Sequence, residues 1–126
     1  MESWLVRDQG RDEEALVLSK TAEEVAAPSD TSAQSLWRST RAPILARAGD
    51  LVQAEELARA AVELVRATEA PLQKAVAFRE LAGVLRLVGK SGEAQQAIEE
   101  AIALYAAKGD GVMAARCREW AEQPGQ

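Results

Sequence analysis

Apolar residues along this chain recur at three- and four-residue intervals, the period of a helix that buries one face. Phe78, Leu81, Ala82, Leu85 and Val88 make one such stripe, and Ala94, Ala97, Ile98, Ala101, Ile102 and Tyr105 make the next. The two are expected to meet across a helical hairpin. An earlier pair repeats the arrangement, with Trp37, Ile44, Leu45 and Ala48 against Ala54, Leu57, Ala58, Ala61, Val62 and Val65. Burying one such leucine contributes on the order of 2 kcal/mol. Boundary residues divide the pattern further. Thr31 with Gln34 three residues on reads as a capping box opening a helix to about Ala48. Asp50 reads as the N-cap of a helix to about Ala67, and Pro71 fits the first turn of a helix from about Ala70 to Val88. Ser91 is the expected cap of a helix ending near Lys108, before Gly109. Gly111 to about Glu122 reads as a short last helix carrying Met113, Cys117 and Trp120 on one side. Upstream, 12–27 is predicted to be one helix and 2–9 a shorter one, with Pro28-Ser29-Asp30 as the clearest loop. Pro43 falls inside a predicted helix, where its missing N–H predicts a bend near Arg41-Ala42.

The pattern is also periodic on a longer scale. LVRDQGRDEEAL (5–16), LARAGDLVQAEE (45–56) and LRLVGKSGEAQQ (85–96) align on a shared glycine. Each has a glycine (Gly10, Gly49, Gly89) and an alanine five residues later (Ala15, Ala54, Ala94), and the glycines lie 39 and 40 residues apart. Glycine supplies the left-handed cap that ends one helix, and a small residue on the next helix lets the pair approach closely. The expected organisation is a single domain over 1–126. It comprises a partial repeat (1–27), repeats at 31–68 and 70–108, and a capping helix at 110–122. No single repeat could bury its face alone, so stability comes from stacking.

These residues resemble tetratricopeptide (TPR) repeats. Ala82, Leu85, Gly89, Ala94, Ile98 and Ala101 follow that family's order of small, large, glycine, small, large, small. Ala42, Leu45, Gly49, Ala54, Ala58 and Ala61 occupy the same positions, with Ala58 small where the order has a large residue, and Gly10, Ala15 and Ala22 match its later part. The period is longer than the usual 34 residues and the family's final proline is absent. The runs LWRSTRAPILARAGDLVQAEELARAAVEL and ELAGVLRLVGKSGEAQQAIEEAIALYAAKGD are similar to the C-terminal TPR regions of actinobacterial cyclase- or ATPase-linked regulators. The resemblance implies an all-α, TPR-like superhelix of antiparallel helix pairs. It also implies a concave groove lined by the first helix of each pair, in a scaffold for protein-protein interaction.

Composition narrows the chemistry. The formal charge of −5 argues against a general nucleic-acid binder, and the absence of histidine removes His-based catalysis and the commonest metal ligand. One cysteine forms no internal disulfide and no Cys-rich zinc site. No apolar stretch is long enough to span a bilayer, and Met1-Glu2-Ser3-Trp4 lacks signal-peptide features, so a cytoplasmic location is expected. Gly89-Lys90-Ser91-Gly92 lacks the upstream glycine of a phosphate-binding loop. The pairs Glu13-Glu14, Glu23-Glu24, Glu55-Glu56 and Glu99-Glu100 read as solvated faces. No cofactor, metal or catalytic residue is expected, and the chain reads as a non-enzyme.

Charge placement nominates a binding site. Arg38, Arg41 and Arg47 lie on the first helix of one repeat, and Lys74, Arg79 and Arg86 on that of the next; acids dominate the second helices. Arg38, Arg47, Arg79 and Arg86 are thus candidates to grip an acidic peptide or carboxylate in the groove. The competing reading pairs them with acids on neighbouring helices. Trp4, Leu5, Val6, Leu16 and Val17 form a candidate apolar patch, covered by missing repeats, another protein or a second copy in a homodimer. A small-molecule sensor would need an enclosed pocket. Trp37 and Phe78 are expected in the core, Tyr105 between repeats and Trp120 at the end of the stack; Cys117 reads as a small buried hydrophobe.

Overall fold

Aspartates and glycines punctuate the chain where its helical pattern breaks. In the computed structural model, which describes residues 9–123, the result is all-α. The helices are α1 (Gln9–Val25), α2 (Thr31–Arg47), α3 (Leu51–Arg66), α4 (Pro71–Val88), α5 (Ser91–Ala107) and α6 (Gly111–Glu122). The short helix expected before α1 lies outside the described residues, apart from Gln9 itself, which opens α1.

Asp30, Asp50 and Asp110 each occupy an N-cap and accept a bond from the N–H of Ala33, Gln53 and Met113 at 3.1, 3.3 and 3.0 Å. The expected Thr31–Gln34 capping box does not form, because Asp30 takes the cap one residue earlier. Gln34 turns back instead, donating to the carbonyls of Ala26 and Ala27 at 3.4 and 3.1 Å and so pinning the preceding loop. Ser91 is likewise helical rather than capping, since Lys90 holds the cap position without a side-chain bond. Gly89 ends α4 at φ 99°, a left-handed conformation that lets the Lys90 N–H reach the Leu85 carbonyl at 2.8 Å. Pro43 is buried inside α2, yet the helix runs unbroken from Thr31 to Arg47. The helix that carries it packs on α1, α3 and α4.

Helix α2 packs on α3 and α4, α4 packs on α3 and α5, α5 receives α6, and α1 lies against α2. Small residues make these approaches close: Ala42, Ala54, Ala61, Ala75, Ala82 and Ala101 are essentially fully buried. Val65, Val84, Leu85 and Ile98 fill the space between them, while Tyr105, Cys117 and Trp120 close the α5–α6 side. Phe78 packs against the core from its half-buried rim. Ala48, expected on an inner face, is exposed at the end of α2, where the chain leaves the helix. Trp37 is buried as expected, under the guanidinium groups of Arg38 and Arg41 at 4.2 and 4.6 Å from its ring centre.

Candidate functional site

The first half of α2 carries small polar side chains on the side that approaches α4, and this leaves a notch. Ser32, Ser35 and Ser39 lie on one wall with Asp30, Ala33 and Leu36; Leu72, Gln73 and Val76 of α4 form the other. The cleft measures about 340 Å³. Leu36 and Leu72 are 55% and 44% exposed although both are large and apolar. Ser35 is buried and satisfied, its hydroxyl donating to the Ala61 carbonyl at 2.9 Å. Ser39 is also buried, at 2% exposure, but its hydroxyl carries no hydrogen bond among the described residues. Sequence reasoning did not nominate these residues. Three serines at helical spacing on a helix beside Leu36 were the available signal.

The predicted arginines stand elsewhere, and none lines this cleft. Arg47 makes a two-pronged contact with Asp12 of α1 at 2.8 and 2.9 Å. Arg38 stacks on Trp37 and donates to the Gln34 carbonyl and side chain at 2.8 and 2.9 Å. Arg79 donates to Glu80 at 2.7 Å and to the Tyr105 hydroxyl at 3.1 Å. Arg86 lies 3.5 Å from the Trp120 ring centre and donates to that residue's carbonyl at 3.0 Å. Of the four, Arg47 thus joins α2 to α1, Arg38 is held within α2, and Arg79 and Arg86 reach α5 and α6. Arg41, their neighbour, is held by Glu23 and Ser19 at 2.8 and 3.1 Å. Burial lowers the Arg86 pKa and raises that of the Tyr105 phenol, and pushes the Cys117 thiol up to about 11.

A second, more polar groove of about 470 Å³ runs between α3 and α5 beside Phe78. Arg59 bridges Glu55 and Glu93 there, each at 2.8 Å, and Lys90 also reaches Glu55 at 2.8 Å. The Lys90 hydrogen bond leads in holding the Glu55 carboxyl below its ordinary range. Of the charges lining the groove, Arg59 and Glu93 pair with each other, and Glu99 accepts from Gln95 at 3.0 Å.

Of the predicted apolar patch, Trp4, Leu5 and Val6 lie outside the described residues. Leu16 is half-buried, and Val17 is 63% exposed. Leu18 and Val25, seven residues apart and missed in the sequence, add exposures of 67% and 78% on α1. Among the described residues no group of Cys, Asp and Glu is placed to hold a metal ion, and no helix is long and apolar enough to cross a membrane. No family model, curated protein or solved structure matches the chain.

Proposed function

We propose that this chain is a TPR-like helical-repeat module for protein-protein interaction, a non-enzymatic cytoplasmic scaffold whose partner segment sits on the α2/α4 face. One observation carries the reading: Leu36 and Leu72 remain exposed on opposite walls of a cleft large enough for a side chain. The left-handed caps at Gly49 and Gly89, though not at Gly10, which lies inside α1, and the packing of α4 on both helices of the preceding hairpin support the repeat assignment. The basic residues once assigned to the groove are engaged within the chain, so apolar contact rather than arginine selects the partner. A displayed library of random dodecapeptides tests this. Leu36→Glu/Leu72→Glu should lose at least tenfold in peptide capture while keeping its thermal midpoint, because both side chains are exposed. Equal capture by the variant and the unaltered chain would sink the proposal.

A second reading, self-association, rests on a different observation: Val17, Leu18 and Val25 are exposed on α1. Its test is the mass in solution, argued at the end of the Discussion.

A further inference from the structure

The walls of the α2/α4 cleft carry hydrogen-bonding groups of opposite kind. On α4 the first turn has no side-chain cap; Pro71 lacks an N–H, leaving those of Leu72 and Gln73 as donors without a capping partner. On α2 Ser39 is buried but lines the cleft, and its hydroxyl bonds to no other described residue. Pro43, one turn on, has no N–H to give the Ser39 carbonyl. The contrast within the cleft is local: Ser35 is satisfied by Ala61, and the α2 N-terminus by Asp30. The Ser39 hydroxyl therefore stands on the cleft wall with an oxygen able to accept from an incoming donor.

Donors on one wall and an acceptor on the other complement an extended peptide, whose N–H and C=O groups leave the strand on opposite sides. The charges favour an uncharged segment. The arginines lie off the cleft, and the one carboxylate lining it, Asp30, repels an anion.

Resting on the reading of this face as the partner site, we infer that the cleft binds an extended, uncharged peptide segment. Its aliphatic side chain lies between Leu36 and Leu72. One backbone N–H donates to the Ser39 hydroxyl, and a backbone carbonyl accepts from the first turn of α4.

The test uses a capped heptapeptide with a central leucine among alanines and glycines, titrated into the isotope-labelled full chain and followed by NMR. Three companion probes are its leucine N–H-to-ester analogue, a glutamate-centred version and a version with a free C-terminal carboxylate. Binding should shift the amide resonances of Leu72, Gln73 and Val76. The ester should bind the unaltered chain roughly three- to tenfold more weakly, the share of one hydrogen bond. Against Ser39→Ala the amide and ester peptides should bind alike. That variant removes a hydroxyl bonded to no other described residue and adds a better helix former, so its thermal midpoint should hold or rise. An equal ester penalty in both proteins, or none in either, overturns the Ser39 contact. Tighter binding of either anionic peptide overturns the uncharged segment. Binding lost in Leu72→Glu but unchanged in Ser39→Ala removes this inference and leaves the partner face standing; binding indifferent to Leu72→Glu removes both.

Discussion

Arginine side chains in this protein join helices, and that decides what their removal does. Glu80 is almost fully buried and Arg79 lies beside it at 2.7 Å. Deleting the guanidinium leaves a carboxylate in a low-dielectric site, so Arg79→Ala should cost about 3 kcal/mol, read as a lower urea midpoint. Arg66→Ala, which breaks an exposed pair with Glu63, should change that midpoint by well under about 1 kcal/mol. Cys117 gives a second residue-scale prediction. Burial is the main cause that moves its thiol from an ordinary 9.0 up to about 11. The unfolded chain then releases its proton first, so stability is complete below pH 9 and falls as pH rises towards 11. Cys117→Ala should flatten that alkaline loss in urea titrations, and iodoacetamide at pH 8 should label the thiol only after unfolding. The sequence showed which arginines share a helix, but not which way each turns. Arg47 meets Asp12 across 35 positions, a partnership no local spacing announces.

Elements were more legible than contacts, because helix ends are set by short-range chemistry. The Asp50 cap, Pro71 at the start of α4 and glycine after it stand where the pattern placed them, as do the apolar stripes apart from exposed Ala48; Phe78 and Val88 are among their half-buried members. Misassigned caps were off by one residue where two candidates adjoin: Asp30 beside Thr31, and Lys90 beside Ser91. At Pro43 the missing hydrogen bond does not end α2, which continues to Arg47. Glycine substitutions separate the two backbone roles at the α4–α5 turn. At Gly89, φ 99° penalises any side chain even though a Cβ would meet nothing, so Gly89→Ala should lose about 1 kcal/mol. Three residues later Gly92 lies in the first turn of α5 with equally open space, so Gly92→Ala should gain about 0.5 kcal/mol. Opposite shifts in thermal midpoint would confirm that conformation, rather than crowding, sets the difference. Shifts of the same sign would refute it.

At the scale of the molecule the two ends of the helix stack differ. Helix α6 turns Trp120 and Cys117 inward and presents Arg116, Arg118, Glu119 and Glu122 to solvent, with Val112 as its large exposed apolar side chain. Among the described residues helix α1 has no such cover: Val17, Leu18 and Val25 are exposed. The cleft face was not legible for a related reason, since it arises only when α2 and α4, far apart in sequence, come side by side. The asymmetry of the ends restricts how copies could join. Head-to-tail stacking would set the apolar α1 against the charged α6 and desolvate charges without partners. Joining α1 to α1 buries apolar surface on both copies and closes after two. Self-association therefore predicts a light-scattering mass that rises with concentration from 13.5 kDa and levels at twice that value. Leu18→Lys should hold it at the monomer mass, because a charge at the centre of the contact would meet its own copy across the two-fold axis. Growth beyond two copies would point to contacts outside α1, and a monomer mass at every concentration would leave the α2/α4 cleft as the surface through which this protein acts.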